Sequence, residues 1–115
     1  MAITYTKLFQ PTMLTTSDVT IFTAGSGVPP TAVLRGGRVR LTNVTTTPQT
    51  YRLTFVPSGG SASDTNISPK DKSLGPLDFI DIDLPTLVNG DAMLARAGAA
   101  SSINIQFISG AYFTP

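Results

Sequence analysis

The sequence has no cysteine, no histidine and no tryptophan, and only 13% of its 115 residues are charged. Each absence excludes something. Without cysteine there is no disulfide, no thiolate nucleophile and no cysteine-held metal, so the fold must rest on its apolar core. Such a chain is compatible with a reducing cytoplasm. Without histidine the commonest general base and transition-metal ligand are missing, and Ser-His-Asp and Cys-His catalysis are ruled out. An enzyme would have to work with carboxylates, lysine or tyrosine alone. A non-enzymatic role without a cofactor is therefore the expectation. The formal net charge is +1, without the basic excess of a nucleic-acid binder. No apolar run approaches the roughly 20 residues that span a bilayer. Residues 1–10 hold one lysine and no apolar stretch of the signal-peptide kind. Neither nucleic acid nor membrane is an expected partner.

What is present is serine and threonine, together about a quarter of the chain and well above ordinary usage. Threonine is β-branched and favours strands. A neutral, hydroxyl-rich surface also suits contact with protein, because little charge is desolvated on docking. Apolar residues alternate with polar ones in short runs and nowhere recur at helical spacing. The clearest runs are Arg38-Val39-Arg40-Leu41-Thr42-Asn43 and Thr50-Tyr51-Arg52-Leu53-Thr54-Phe55-Val56. Their dry sets are Val39 and Leu41, then Tyr51, Leu53 and Phe55. Read as a hairpin, they put Arg38, Arg40 and Arg52 on one shared face.

Further strands are expected over residues 19–23, 31–34, 77–84, 92–97 and 102–109, with a short edge strand over 66–68. Gly25-Ser26-Gly27-Val28-Pro29-Pro30, Ser58-Gly59-Gly60 and Asn89-Gly90-Asp91 mark turns. Gly36-Gly37 suggests a bulge or kink, and the mismatch of Leu77 and Phe79 with Ile80, Ile82 and Leu84 predicts a bulge or a handover between faces near Phe79. The expectation is an all-β, single-domain antiparallel β-sandwich or jelly roll of about seven to eight strands. Residues 1–16 form an N-terminal arm or first strand, and residues 17–115 the sandwich.

The run Arg40-Leu41-Thr42-Asn43, then Tyr51-Arg52-Leu53-Thr54-Phe55-Val56-Pro57-Ser58-Gly59-Gly60, then Asn89-Gly90-Asp91, Ala92-Met93-Leu94-Ala95-Arg96-Ala97 and a last strand closing at Ser109-Gly110 resembles small virion structural proteins of tailed bacteriophages. The likeness covers residues 38–110, and residues 1–16 fall outside it. It implies a β-sandwich on the capsid surface of a virion, assembled in the host cytoplasm. The implied role is a capsid decoration or cement protein that bridges major capsid protein subunits, as a homotrimer. The alternative is a tail or head-fibre component that binds a receptor or carbohydrate.

Candidate contact residues follow. Arg38, Arg40 and Arg52 can dock on an acidic patch, or pair across strands with Asp81 or Asp83. Tyr5, Leu8 and Phe9 in the arm and Tyr112 and Phe113 in the tail are aromatic or apolar residues near chain ends, suited to interfaces. They would otherwise pack on their own sandwich. Asp78, Asp81, Asp83 and Asp91 supply too few oxygens in sequence for a calcium loop. Asp81 and Asp83 show neither the spacing nor the cleft of a glycosidase pair. No metal or catalytic residue is assigned.

Overall fold

The computed structural model describes residues 2–25 and 27–115. Met1 of the expected arm and Ser26 of the expected loop lie outside the described residues. The strands are β1 (Ala2–Tyr5), β2 (Thr12–Met13), β3 (Val19–Thr23), β4 (Val33–Asn43), β5 (Gln49–Val56), β6 (Lys72–Leu74), β7 (Phe79–Asp83), β8 (Leu87–Val88), β9 (Ala92–Ala97) and β10 (Ile103–Thr114). Among the described residues there is no helix.

The strands form two antiparallel sheets. One has the order β1-β10-β4-β7, with β2 also on β10 and β8 also on β4; the other runs β3-β9-β5-β6. β1 and β2 act as one interrupted strand along β10, and β7 and β8 as another along β4. Ten short strands thus fill eight positions, four per sheet, in the crossed order of a jelly roll. The expected all-β sandwich is the fold observed.

Alternation decides which side of each strand goes inward. Val39, Leu41, Ile103 and Ile105 from the first sheet meet Tyr51, Leu53, Met93 and Ala95 from the second, all essentially without exposure. Each of the valine, leucine, isoleucine and methionine side chains among them contributes on the order of 1.5–3 kcal/mol by leaving water.

The expected hairpin is not formed. β4 lies between β10 and β7 in one sheet, while β5 lies between β9 and β6 in the other. Residues 44–48 cross from sheet to sheet instead of folding β5 back on β4. Asn43 makes that crossing possible. Its buried amide donates to the carbonyls of Thr47, Leu74 and Gly75, and its Oδ1 accepts from the N–H and hydroxyl of Thr45. A buried polar side chain so fully satisfied ties the end of β4 to β6 across the sandwich.

Gly36-Gly37 does mark a bulge, within a single 11-residue strand rather than between two. Opposite it, β10 carries a second bulge at Ile108. Register runs Phe107 to Val39, then Ser109 to Arg38, then Ala111 to Arg35. One strand gains a residue and the other gains one two places later, so the pairing is restored. Gly36 has φ +68°, a conformation that suits glycine.

No bulge forms near Phe79. The pairing with β4 is regular from Thr42–Phe79 to Arg38–Asp83. Leu77 lies in the preceding turn, and Phe79 simply faces outward with Asp81 and Asp83. The expected edge strand over 66–68 reduces to one bridge, Thr54 to Ile67. The aromatic tail is the end of β10.

Candidate interaction surfaces

The outer face of the β1-β10-β4-β7 sheet carries cross-strand rows. Directly opposed residues in neighbouring antiparallel strands share a face. At one end Ile3, Phe113, Val33 and Val88 are consecutive partners across β1, β10, β4 and β8. Four apolar side chains thus line one row facing water. Ile3 and Val88 are about half exposed, at 47% and 49%. The next row is Tyr5, Ala111 and Arg35. Tyr5 is 80% exposed, and the Arg35 guanidinium carbon lies 5.4 Å from the centre of the Phe113 ring. Two shallow hollows of about 460 and 590 Å³ share Tyr5, Ser109 and Gly110 in their walls. Arg35 lines the first and Lys7 the second, and no aspartate lines either.

Beyond the paired bulges the same face is charged and internally balanced. Arg38 Nε donates to Asp83 Oδ1 at 2.8 Å. Arg40 holds Asp81 with two bonds of 2.7 and 3.0 Å, and its guanidinium carbon lies 4.4 Å from the centre of the Phe79 ring. The hydrogen bond from Arg40 is the main cause of a lowered Asp81 pKa. These are the cross-strand pairs that the sequence allowed for Arg38 and Arg40.

Arg52 lies on the outer face of the other sheet, so the three arginines are not brought together. It stands directly opposite Arg96, an unfavourable like-charge pair that two carboxylates offset. Arg52 donates to both oxygens of Asp71, at 3.0 and 2.6 Å, and Arg96 lies 3.8 Å from Asp18. The bond to Arg52 is the main cause of a lowered Asp71 pKa.

The chain-end candidates divide. Tyr5 and Phe113 share the outer apolar face. Phe9 and Tyr112 do not reach a surface, because they complete the core. Phe9 lies on Phe22 with ring centres 5.8 Å apart and meets the edge of Phe107 at 5.9 Å. The Tyr112 hydroxyl accepts a 2.9 Å bond from the Gly25 N–H. Leu8 is half-buried against the same core. Sequence reasoning missed Val33, Arg35 and Val88, since only strand register aligns them with Ile3 and Phe113.

Asp91 is occupied by the backbone N–H groups of Ser58 and Val88. Among the described residues no group of three or more acidic side chains converges as a metal site. No protein-family model matches the chain, and no curated protein matches it.

Proposed function

We propose that this chain is a non-enzymatic virion structural protein that decorates a phage capsid and bridges neighbouring major capsid protein subunits. The resemblance over residues 38–110 supports the virion setting. The jelly-roll order supports it by analogy, since capsid proteins use that architecture. One observation carries the binding role: the outward row of Ile3, Phe113, Val33 and Val88. Apolar side chains that are contiguous on the surface, rather than scattered singly, mark a contact site.

The mechanism is additive. A homotrimer presents three copies of the patch, so weak contacts act together through effective concentration. Ligation of the assembled shell alone stabilises it by mass action. A stable contact needs about 1,000 Å² of buried surface, which the patch and its rim would supply jointly with trimer neighbours.

A second reading has one observation in its favour. The exposed Tyr5 ring between two hollows suits stacking on a sugar, as in a receptor-binding tail or head-fibre module. Cosedimentation of the purified chain with empty capsids, run beside a glycan array, separates the two. Saturable capsid binding without glycan binding is the expected outcome. Glycan binding with no affinity for capsids would overturn the decoration role.

A further inference from the structure

We infer that the outer face around Tyr5 docks a protein segment bearing carboxylates among apolar side chains. The inference rests on the binding role above and adds the chemistry of the partner.

Two observations define the occupant. The first is the apolar row, which calls for apolar side chains opposite it. The second is charge. Of eight lysines and arginines, five have an aspartate within 4.0 Å: Arg38, Arg40, Arg52, Lys70 and Arg96. Lys7, Arg35 and Lys72 have none among the described residues. Lys7 and Arg35 line the two hollows that flank Tyr5, so two cations without an aspartate partner border Tyr5, and Arg35 also adjoins Phe113 of the apolar row. Arg35 is also steadied over Phe113, a contact that holds a guanidinium in place without neutralising it. Such a cation accepts a carboxylate with little further ordering.

Charge also argues against a second copy seated face to face. That arrangement would set Arg35 and Lys7 against the same cations, with no aspartate in the hollows to separate them. Like charges across an interface oppose association. A partner of opposite sign removes the conflict.

The test uses the full-length chain and a displayed library of random 12-residue peptides, followed by NMR shift mapping with selected synthetic peptides. Selected sequences should be enriched in Asp or Glu beside apolar residues, with shifts centred on Ile3, Tyr5, Val33, Arg35, Val88 and Phe113. The double variant K7E/R35E, checked for folding by circular dichroism, should bind those peptides at least roughly tenfold more weakly and favour lysine-bearing ones. K72E, on the other sheet, should bind like the parent. Peptides without acidic enrichment, shifts on another face, or unchanged affinity in K7E/R35E would each overturn the inference. So would a dimer in sedimentation velocity that Y5S abolishes, or sulfated glycans displacing no peptide yet shifting the same residues. Unaltered cosedimentation of K7E/R35E with capsids would overturn it while leaving the decoration role standing. Loss of capsid binding by the parent chain would overturn the decoration role alone.

Discussion

Arg40 and Asp81 stand directly opposite one another on β4 and β7, joined by two hydrogen bonds of 2.7 and 3.0 Å. The pair contributes to the acid limb of stability, as does Arg52–Asp71. Asp81 and Asp71 both have folded pKa values below the ordinary carboxylate value, each held down chiefly by an arginine bond. A lowered folded pKa contributes stability above the unfolded value, about 3.9, and that contribution disappears as pH falls through the folded value. With no histidine, no side chain ordinarily titrates between about pH 5 and 8. At the alkaline end, burial raises the Tyr51 phenol pKa, so stability should fall above about pH 10 as the unfolded phenol ionises. The thermal midpoint should therefore be flat from about pH 5 to 8 and drop below about pH 4. The variant D71N/D81N should show a shallower acid drop. A midpoint that moves strongly between pH 5 and 8 would contradict this account.

Asn43 is fully buried and holds five hydrogen-bond contacts. Replacing it by alanine removes the donors to three carbonyls and the acceptor for Thr45. The expected loss is about 2–4 kcal/mol, since each buried group left unpaired costs about 1–3. Asn43→Asp should be at least as damaging, because a carboxylate would face carbonyl oxygens. Urea titration measures both. A loss under about 0.5 kcal/mol, the scale of a surface substitution, would show that water replaces the network.

The paired bulges predict an order among glycines. Gly110 has φ +149°, and a Cβ there would lie 3.2 Å from Gly37 Cα, whereas a Cβ on Gly36 meets open space. Gly36→Ala should cost about 1–2 kcal/mol from backbone strain alone. Gly110→Ala should cost more, because the two bent strands must also separate. Chemical denaturation of the two variants tests the order, and the reverse order would reject the offsetting-bulge picture.

Phe9 makes the N-terminal segment part of the core. Phe9→Ala should cost about 3–5 kcal/mol, while Tyr5→Ser should stay within about 0.5 of the parent. Deleting residues 1–10 therefore unfolds as well as trims, and point changes at Tyr5 are the cleaner probe of binding. Equal stability losses at the two positions, measured by calorimetry, would contradict the division.

Much of this was legible in the residues. Alternation points Val39, Leu41, Tyr51 and Leu53 inward, and they are inward. The turns at Asn89-Gly90-Asp91 and Ser58-Gly59-Gly60 follow from residue chemistry. That Asp81 and Asp83 could pair with outward arginines was legible too, because both alternate outward on a strand; which arginine takes which, and that Arg52 takes Asp71 instead, was not. The hairpin was misread because a turn rich in threonine looks the same whether it folds a strand back or carries it to another sheet. For Phe9 and Tyr112 the sequence leaves contact and core packing both open, because a chain end gives no local sign of what covers it, and the structure puts both in the core.

The all-β class, the inward side of the central strands, the glycine-rich turns and the absence of histidine and cysteine chemistry follow from a residue and its near neighbours. Which strands lie side by side follows from tertiary contacts. Ile3, Phe113, Val33 and Val88 are scattered over the chain, and they become one surface because register within one sheet aligns them. That alignment is set by contacts between residues far apart in sequence, which no local pattern encodes. The same contacts separate Arg52 from Arg38 and Arg40, and leave Arg35 and Lys7 on either side of Tyr5.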